Sequence, residues 1–150
     1  MIIHTTRFGV LEVDDARIIT FPKGILGFPD YTRYALIEAS EDPCFWWLQS
    51  VEVEDLAFVV TDPLLFVPTY RVPIKREQMD ELNLGSIEES QVMVIVNKRN
   101  QVLTGNLQGP LVINCKTLIA EQMVLSDRRF TTRVPLVELD RDVQPLRKSA

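Results

Sequence analysis

Phe21-Pro22-Lys23-Gly24-Ile25-Leu26-Gly27-Phe28-Pro29-Asp30-Tyr31 is the stretch on which the reading of this chain turns. Two prolines and two glycines frame bulky apolar side chains. Proline fixes φ and gives up a backbone donor, while glycine admits φ > 0, so the stretch is neither a helix nor a central strand. It is also too apolar for an ordinary solvated loop. Either it plugs a core or it faces a partner.

Working outward, the flanking runs read as strands. Upstream, Arg17-Ile18-Ile19-Thr20-Phe21 places Ile19 and Phe21 on one face by period-two alternation. Asp14-Asp15 is a turn signal between it and Phe8–Val13, so residues 8–21 are expected to form a hairpin, with Ile2-Ile3 as a further strand. Downstream come Arg33–Glu38, a polar turn Ala39-Ser40-Glu41-Asp42-Pro43, and Cys44–Val51. In the last of these, Trp46 and Trp47 must point to opposite faces. Leu56–Thr61 is almost continuously apolar, as a strand covered on both faces requires. A second proline-framed apolar loop follows, Asp62-Pro63-Leu64-Leu65-Phe66-Val67-Pro68-Thr69-Tyr70.

Lys75–Leu84 is the one good helix candidate, with Leu84-Gly85 as its stop, and Ser86–Glu89 has a capping-box pattern. Gln91–Val96, Val102–Asn106, Leu111–Asn114, Thr117–Leu125 and Val134–Val137 read as strands, and residues 141–150 as a polar tail. The count is nine to eleven short strands at hairpin spacings with one short helical insertion. No alternation of strand and helix occurs. The expected fold is mainly β, an antiparallel β-barrel or sandwich, formed as one domain over residues 1–150.

Composition narrows the function. Hydrophobic residues make up 46% and charged residues 25% of the 150, the ordinary soluble mix. Neither a membrane-span run nor a signal peptide is visible, and two isolated cysteines, Cys44 and Cys115, fit a reducing cytoplasm. The sequence alone leaves open whether they pair. The net charge of −5 is unevenly spread: Glu38 to Asp62 holds seven carboxylates and no Lys or Arg, while Arg128 to the end holds six basic residues against three acidic ones. Such a chain is a poor direct binder of nucleic acid and a better partner for a basic protein.

Catalytic and cofactor signatures are missing. His4 is the only histidine, and the two cysteines lack the short-spaced ligand pairs of a zinc site. Nucleophile elbow, phosphate loop and dinucleotide fingerprint are all absent. Glu52 and Glu54 are a carboxylate pair that acid–base chemistry could use, but at a strand end such pairs more often simply meet water. The expectation is no catalytic site, no metal and no cofactor. The rival reading is a small-ligand or enzymatic barrel with a pocket lined by Trp46, Phe58 and Tyr70. A structural subunit of a larger assembly is a third.

Three strings carry a resemblance to a known family. Phe21-Pro22-x-Gly24-Ile25-x-Gly27-Phe28, Asp62-Pro63-x-x-Phe66-x-Pro68-x-Tyr70, and Asn106-Leu107-x-Gly109-Pro110-Leu-Val-Ile-Asn114 followed by Gln122 together resemble the flagellar assembly factor FliW family. They stand in the family's order and, with the intervening strands, cover nearly the whole chain. Thr69 stands where an acidic residue is expected, and Gly109 where alanine is usual. The resemblance implies a non-enzymatic cytoplasmic protein, monomeric when free. It implies two partners: flagellin, and the translational repressor CsrA, a small basic RNA-binding dimer. Once flagellin has been exported, the freed factor would sequester CsrA and let flagellin mRNA be translated. The residues expected to face partners are Ile25, Leu26 and Tyr31 in the first loop and Leu65, Phe66 and Tyr70 in the second. To these are added Trp46 and the acidic Glu52, Glu54 and Asp55. Gly24, Gly27, Pro22 and Phe28 are expected to shape and anchor the first loop.

Overall fold

A computed structural model describes residues 1–39 and 42–139. Ser40 and Glu41 of the expected turn, and the expected polar tail from 141 to 150 with the basic residues Arg141, Arg147 and Lys148, lie outside the described residues. The apolar runs form β1 (Ile2–Thr5), β2 (Gly9–Glu12), β3 (Ile18–Thr20), β4 (Arg33–Glu38), β5 (Phe45–Ser50) and β6 (Ala57–Thr61). After the helix α1 (Arg76–Glu81) come β7 (Ser90–Arg99), β8 (Val102–Gly105), β9 (Leu111–Asn114), β10 (Ala120–Gln122) and β11 (Val134–Glu138).

Nine strands make one antiparallel sheet in the order β10-β9-β7-β6-β5-β4-β3, with β8 also on β7 and β11 on β8. The long strand β7 is the hinge of this arrangement. Its first residues, Ser90–Met93, pair with β9, and its last, Val96–Arg99, pair with β8. The sheet curls until its end strands meet at one point, where the Thr20 N–H donates to the Leu118 carbonyl at 2.9 Å. That single parallel bridge does not close a barrel; the molecule is a curled, layered sheet.

The curl has two faces, and strand alternation sorts side chains between them. On the inner face Ile19, Phe21, Ile25, Tyr34, Leu48, Val60, Met93 and Leu111 form the main core. Each large side chain fully buried there contributes about 1.5–3 kcal/mol. On the outer face lie two separate clusters. One joins Tyr70, Val72, Leu82, Leu84, Val94, Leu107 and Val112 over β7 and β9. The other packs Ile3 and Val13 on Ala35 of β4.

Three expectations are corrected. Residues 8–21 do not form a hairpin: β2 pairs with β1, and β3 pairs with β4. Ile3, Leu11 and Val13 all point toward β4, so β1 and β2 lie as a small second sheet across its outer face. Asp14 instead caps a 3-10 turn, accepting from the Ala16 N–H at 3.0 Å. The helix is shorter than Lys75–Leu84, because Asn83 takes φ +55 and ends it before Gly85 is reached. In Thr117–Leu125 only Ala120–Gln122 is strand, since Leu118 sits at φ +59.

Candidate functional site

The first loop is mostly a plug. Phe21 is fully buried, Ile25 is only 2% exposed, and Phe28 packs edge-on against Phe58 at 5.5 Å. Gly24 sits at φ +71, and a Cβ there would lie 2.6 Å from both the Phe28 carbonyl oxygen and the Pro29 Cα. Only glycine fits. Ile25 therefore does not face a partner as expected, because the turn built on Gly24 drives it into the core. Leu26, 65% exposed, and Tyr31 remain outside.

Two clamps fix the loop. Gln122 on β10 accepts from the Leu26 N–H at 2.8 Å, and its own Nε2 donates to the Gly109 carbonyl at 2.9 Å. Lys23 donates to Glu81 of α1 at 2.8 Å and to Glu121 at 3.3 Å. The Lys23 hydrogen bond lowers the Glu81 carboxyl, while burial raises that of Glu121. Lys23 itself is raised, first by its bond to Glu81.

The second loop is built differently. Pro63 and Tyr70 are buried at its ends, while Leu64 and Leu65 stand exposed, Leu65 at 55%. Tyr70 does not face a partner either. It is 2% exposed, and its hydroxyl donates to the Leu107 carbonyl at 2.6 Å. Burial raises its phenol above the ordinary value. Phe66 is half-buried, its ring stacked on Phe45 at 5.9 Å. Leu64 and Ile87, the latter on the 3-10 turn Ile87–Glu89, line a cleft of about 410 Å³ with Asp62, Arg71 and Gln91.

The pocket expected from Trp46, Phe58 and Tyr70 does not exist as such. Trp46 and Phe58 pack against the inner core, and Tyr70 belongs to an outer cluster. Trp46, half-buried on the inner face, is thus a packing residue. Its neighbour Trp47 is the one turned outward. The Phe8 ring meets Trp47 edge-on at 5.8 Å, and the Arg7 guanidinium lies 4.2 Å above the indole. Trp47, Phe8, Phe45 and Leu64 were absent from the expected site residues. The alternation Phe45-Trp46-Trp47 was the signal available for Trp47.

The acidic residues cap the turn between β5 and β6. Buried Gln49 holds that turn, its Nε2 lying within 3.1–3.3 Å of the carbonyls of Ser50, Val53, Glu54 and Leu56. Glu52 is engaged: Arg33 Nε stands 3.7 Å away, and the Thr32 and Arg33 N–H groups donate to it. Asp55 accepts from the Thr6 hydroxyl. Arg17 reaches Glu38 at 3.5 Å. The segment without Lys or Arg thus acquires counter-charges from elsewhere in the chain, among the described residues at Glu38 and Glu52 but not at Glu54 or Asp55. Both cysteines are free. Among the described residues, no group of three or more His, Cys, Asp or Glu side chains could hold a metal ion. No helix among them is long and apolar enough to cross a membrane.

The residues of the three sequence strings mostly secure backbone: Gly24 by close approach, Gln122 by bridging, Tyr70 by its bond to Leu107. Asn114, also buried, donates to the Leu82 carbonyl at 2.7 Å and accepts from the Lys116 N–H at 2.8 Å. Residues 2–136 match the family model described as FliW protein. The chain belongs to the FliW family. It is 39% identical over 139 residues to the flagellar assembly factor FliW of Leptospira interrogans, covering 91% of this chain and 93% of that one. To the Geobacter sulfurreducens FliW it is 38% identical over 140 residues, covering 92% and 87%. A crystal structure of the flagellar assembly factor FliW superposes with a TM-score of 0.82 at 29% identity, over 91% of this chain and 97% of that one. The FliW crystal structure thus shares the mainly β fold of this chain.

Proposed function

We propose that this FliW-family chain works by binding and not by catalysis. As one cytoplasmic domain, monomeric when free, it holds flagellin; once released, it binds CsrA and relieves repression of flagellin mRNA translation. The observation that carries this reading is the set Leu26, Tyr31, Leu64 and Leu65. These are side chains that the two loops leave exposed while Ile25, Pro63 and Tyr70 beside them are buried. Exposed apolar residues on rigid frames suit the hydrophobic helical surface that unassembled flagellin offers. Glu54 and Asp55 supply a field that favours a basic repressor and disfavours RNA phosphates.

The test is capture of each purified partner by the purified chain, followed by gel filtration. Stoichiometric complexes with flagellin and with CsrA are expected. Elution of the chain alone in the presence of either partner overturns the corresponding half of the reading.

A further inference from the structure

On the outer face of β5 and β6, Phe45, Trp47, Ala57 and Val59 are half-buried, while Gln49 and Thr61 are fully buried. Pairing of Phe45 with Thr61, Trp47 with Val59 and Gln49 with Ala57 places these six residues on that face in three rows. Two clefts lie on it end to end. One, of about 430 Å³, is lined by Phe8, Ile37, Phe45, Trp47 and Val59, with Glu38 and Asp42 at its rim. The other, of about 400 Å³, is lined by Thr6, Arg7, Gln49 and Ala57, with Glu54 and Asp55. The first cleft has an aromatic floor, the second has a polar one that includes Arg7, and carboxylates stand at both ends. Among the described residues no ion pair joins Asp42, Glu54 or Asp55 to a cation. The nearby Arg7 is spread over Trp47 and Arg17 is beside Glu38.

We propose that this strip is a docking groove for a basic segment of a protein partner, whose apolar side chains seat on Phe8, Phe45 and Trp47 and whose cations meet Asp42 at one end and Glu54 and Asp55 at the other. Charge complementarity selects the occupant: an acidic segment or a phosphate backbone would be repelled at both ends. The strip follows the six residues of β5, about 20 Å, which matches about six extended residues or nearly four helical turns. β5 and β6 are each paired along both edges, so the segment cannot add as a strand and must bind through side chains. Partly exposed Trp and Phe ringed by charge are the composition of an interface hot spot. The inference rests on the reading above in taking CsrA as the basic partner.

The experiment uses the full chain and purified CsrA. The variant Asp42→Asn/Glu54→Gln/Asp55→Asn removes three charges and keeps the acceptor atoms that Cys44 N–H and the Thr6 hydroxyl use. Its affinity for CsrA is expected to fall at least about tenfold at low salt, with a flatter dependence on salt. In Trp46→Phe, Trp47 is the sole indole, and CsrA is expected to shield it from acrylamide quenching. Should that variant fail to fold, 5-fluorotryptophan in the wild-type chain gives two fluorine resonances, and only that of Trp47 should move. Wild-type affinity in the triple variant, or an unshielded Trp47 in a formed CsrA complex, overturns the groove and leaves the function standing. Shielding by flagellin and not by CsrA overturns the basic occupant. Failure of the wild-type chain to bind CsrA at all removes both.

Discussion

The two proline-framed apolar loops look alike in sequence and behave oppositely in the fold. Phe21–Tyr31 turns inward, with Phe21 and Ile25 completing the inner core and Leu26 and Tyr31 left outside. Asp62–Tyr70 turns outward, burying Pro63 and Tyr70 near its ends and presenting Leu64 and Leu65. The cause is local. Gly24, at φ +71 and packed against the Phe28–Pro29 backbone, folds the first loop back under itself. The second loop has no glycine. Asp62 caps a 3-10 turn over Pro63–Leu65, accepting from the Leu64 N–H at 2.9 Å, and that turn projects its leucines. A shared style of breakers and apolar residues therefore says that a loop is fixed, not which way it faces.

If the first loop is a plug, its interior substitutions must cost stability before they cost binding. Ile25→Asp is expected to unfold the protein, and Ile25→Ala to lose about 2–5 kcal/mol in urea denaturation. Gly24→Ala is expected to lose about 3 kcal/mol or more, since both the backbone angle and the space are wrong. Gly27→Ala is the control. It sits at φ +91 with nothing within 4 Å of a Cβ, so its cost should stay near 1–2 kcal/mol. Equal losses at the two glycines would break the plug account.

The anchor of the second loop gives the next largest effect. Tyr70→Phe strands the buried Leu107 carbonyl and should lose about 1–2 kcal/mol. Tyr34 makes the contrast inside the first loop's core. Its hydroxyl is buried without a hydrogen-bond partner among the described residues, and burial pushes its phenol up to about 12. Tyr34→Phe should therefore be as stable as wild type or more so. Opposite rankings would mean that the second loop is not held by Tyr70.

Apolar runs and turn residues made most of the strands legible, and period two split β4 into Tyr34 and Leu36 against Ala35 and Ile37, while Leu56–Thr61 read only as a strand covered on both faces. Closure was not legible, because it depends on where Thr20 meets Leu118, a contact between residues far apart in sequence. The hairpin expected over residues 8–21 failed for the same reason. Its partner choice was set by Ile3 and Val13 packing on Ala35 rather than by the Asp14-Asp15 turn. At the site, period two showed that Trp46 and Trp47 diverge but not which one was inward. Ile25 and Tyr70 carried the apolar and aromatic character of contact residues, and nothing local revealed that backbone geometry had claimed both. The acidic segment misled by omission, since Arg17 and Arg33 reach it from earlier strands and turns.

A smaller effect concerns the turn that faces the second loop across the cleft. Glu89 accepts from the Gly85 N–H at 2.8 Å and pairs with Lys116 at 3.1 Å, and these hold its carboxyl below the usual range, the backbone bond first. A lowered carboxyl stabilises the fold above its unfolded value, about 4.3, and that contribution is lost as pH falls through the folded value. The difference in Tm between wild type and Glu89→Gln should thus be full at neutral pH and shrink as pH falls below about 4. A difference constant down to acid would show that the ionised carboxylate does not hold this wall.

The smallest effect on stability should carry the largest effect on binding. Leu64→Ser and Leu65→Ser change side chains that are 48% and 55% exposed, so each should cost only about 0.5 kcal/mol. Flagellin capture by the double variant should fall sharply if the outward loop is a contact surface, because a few well-packed residues carry most of an interface's affinity. Leu26→Ser completes the comparison. Its N–H stays bonded to Gln122 whatever its side chain, so the loop's shape survives the change. Loss of capture in Leu26→Ser but not in the Leu64/Leu65 variant would make the plug, and not the projecting turn, the loop that meets flagellin.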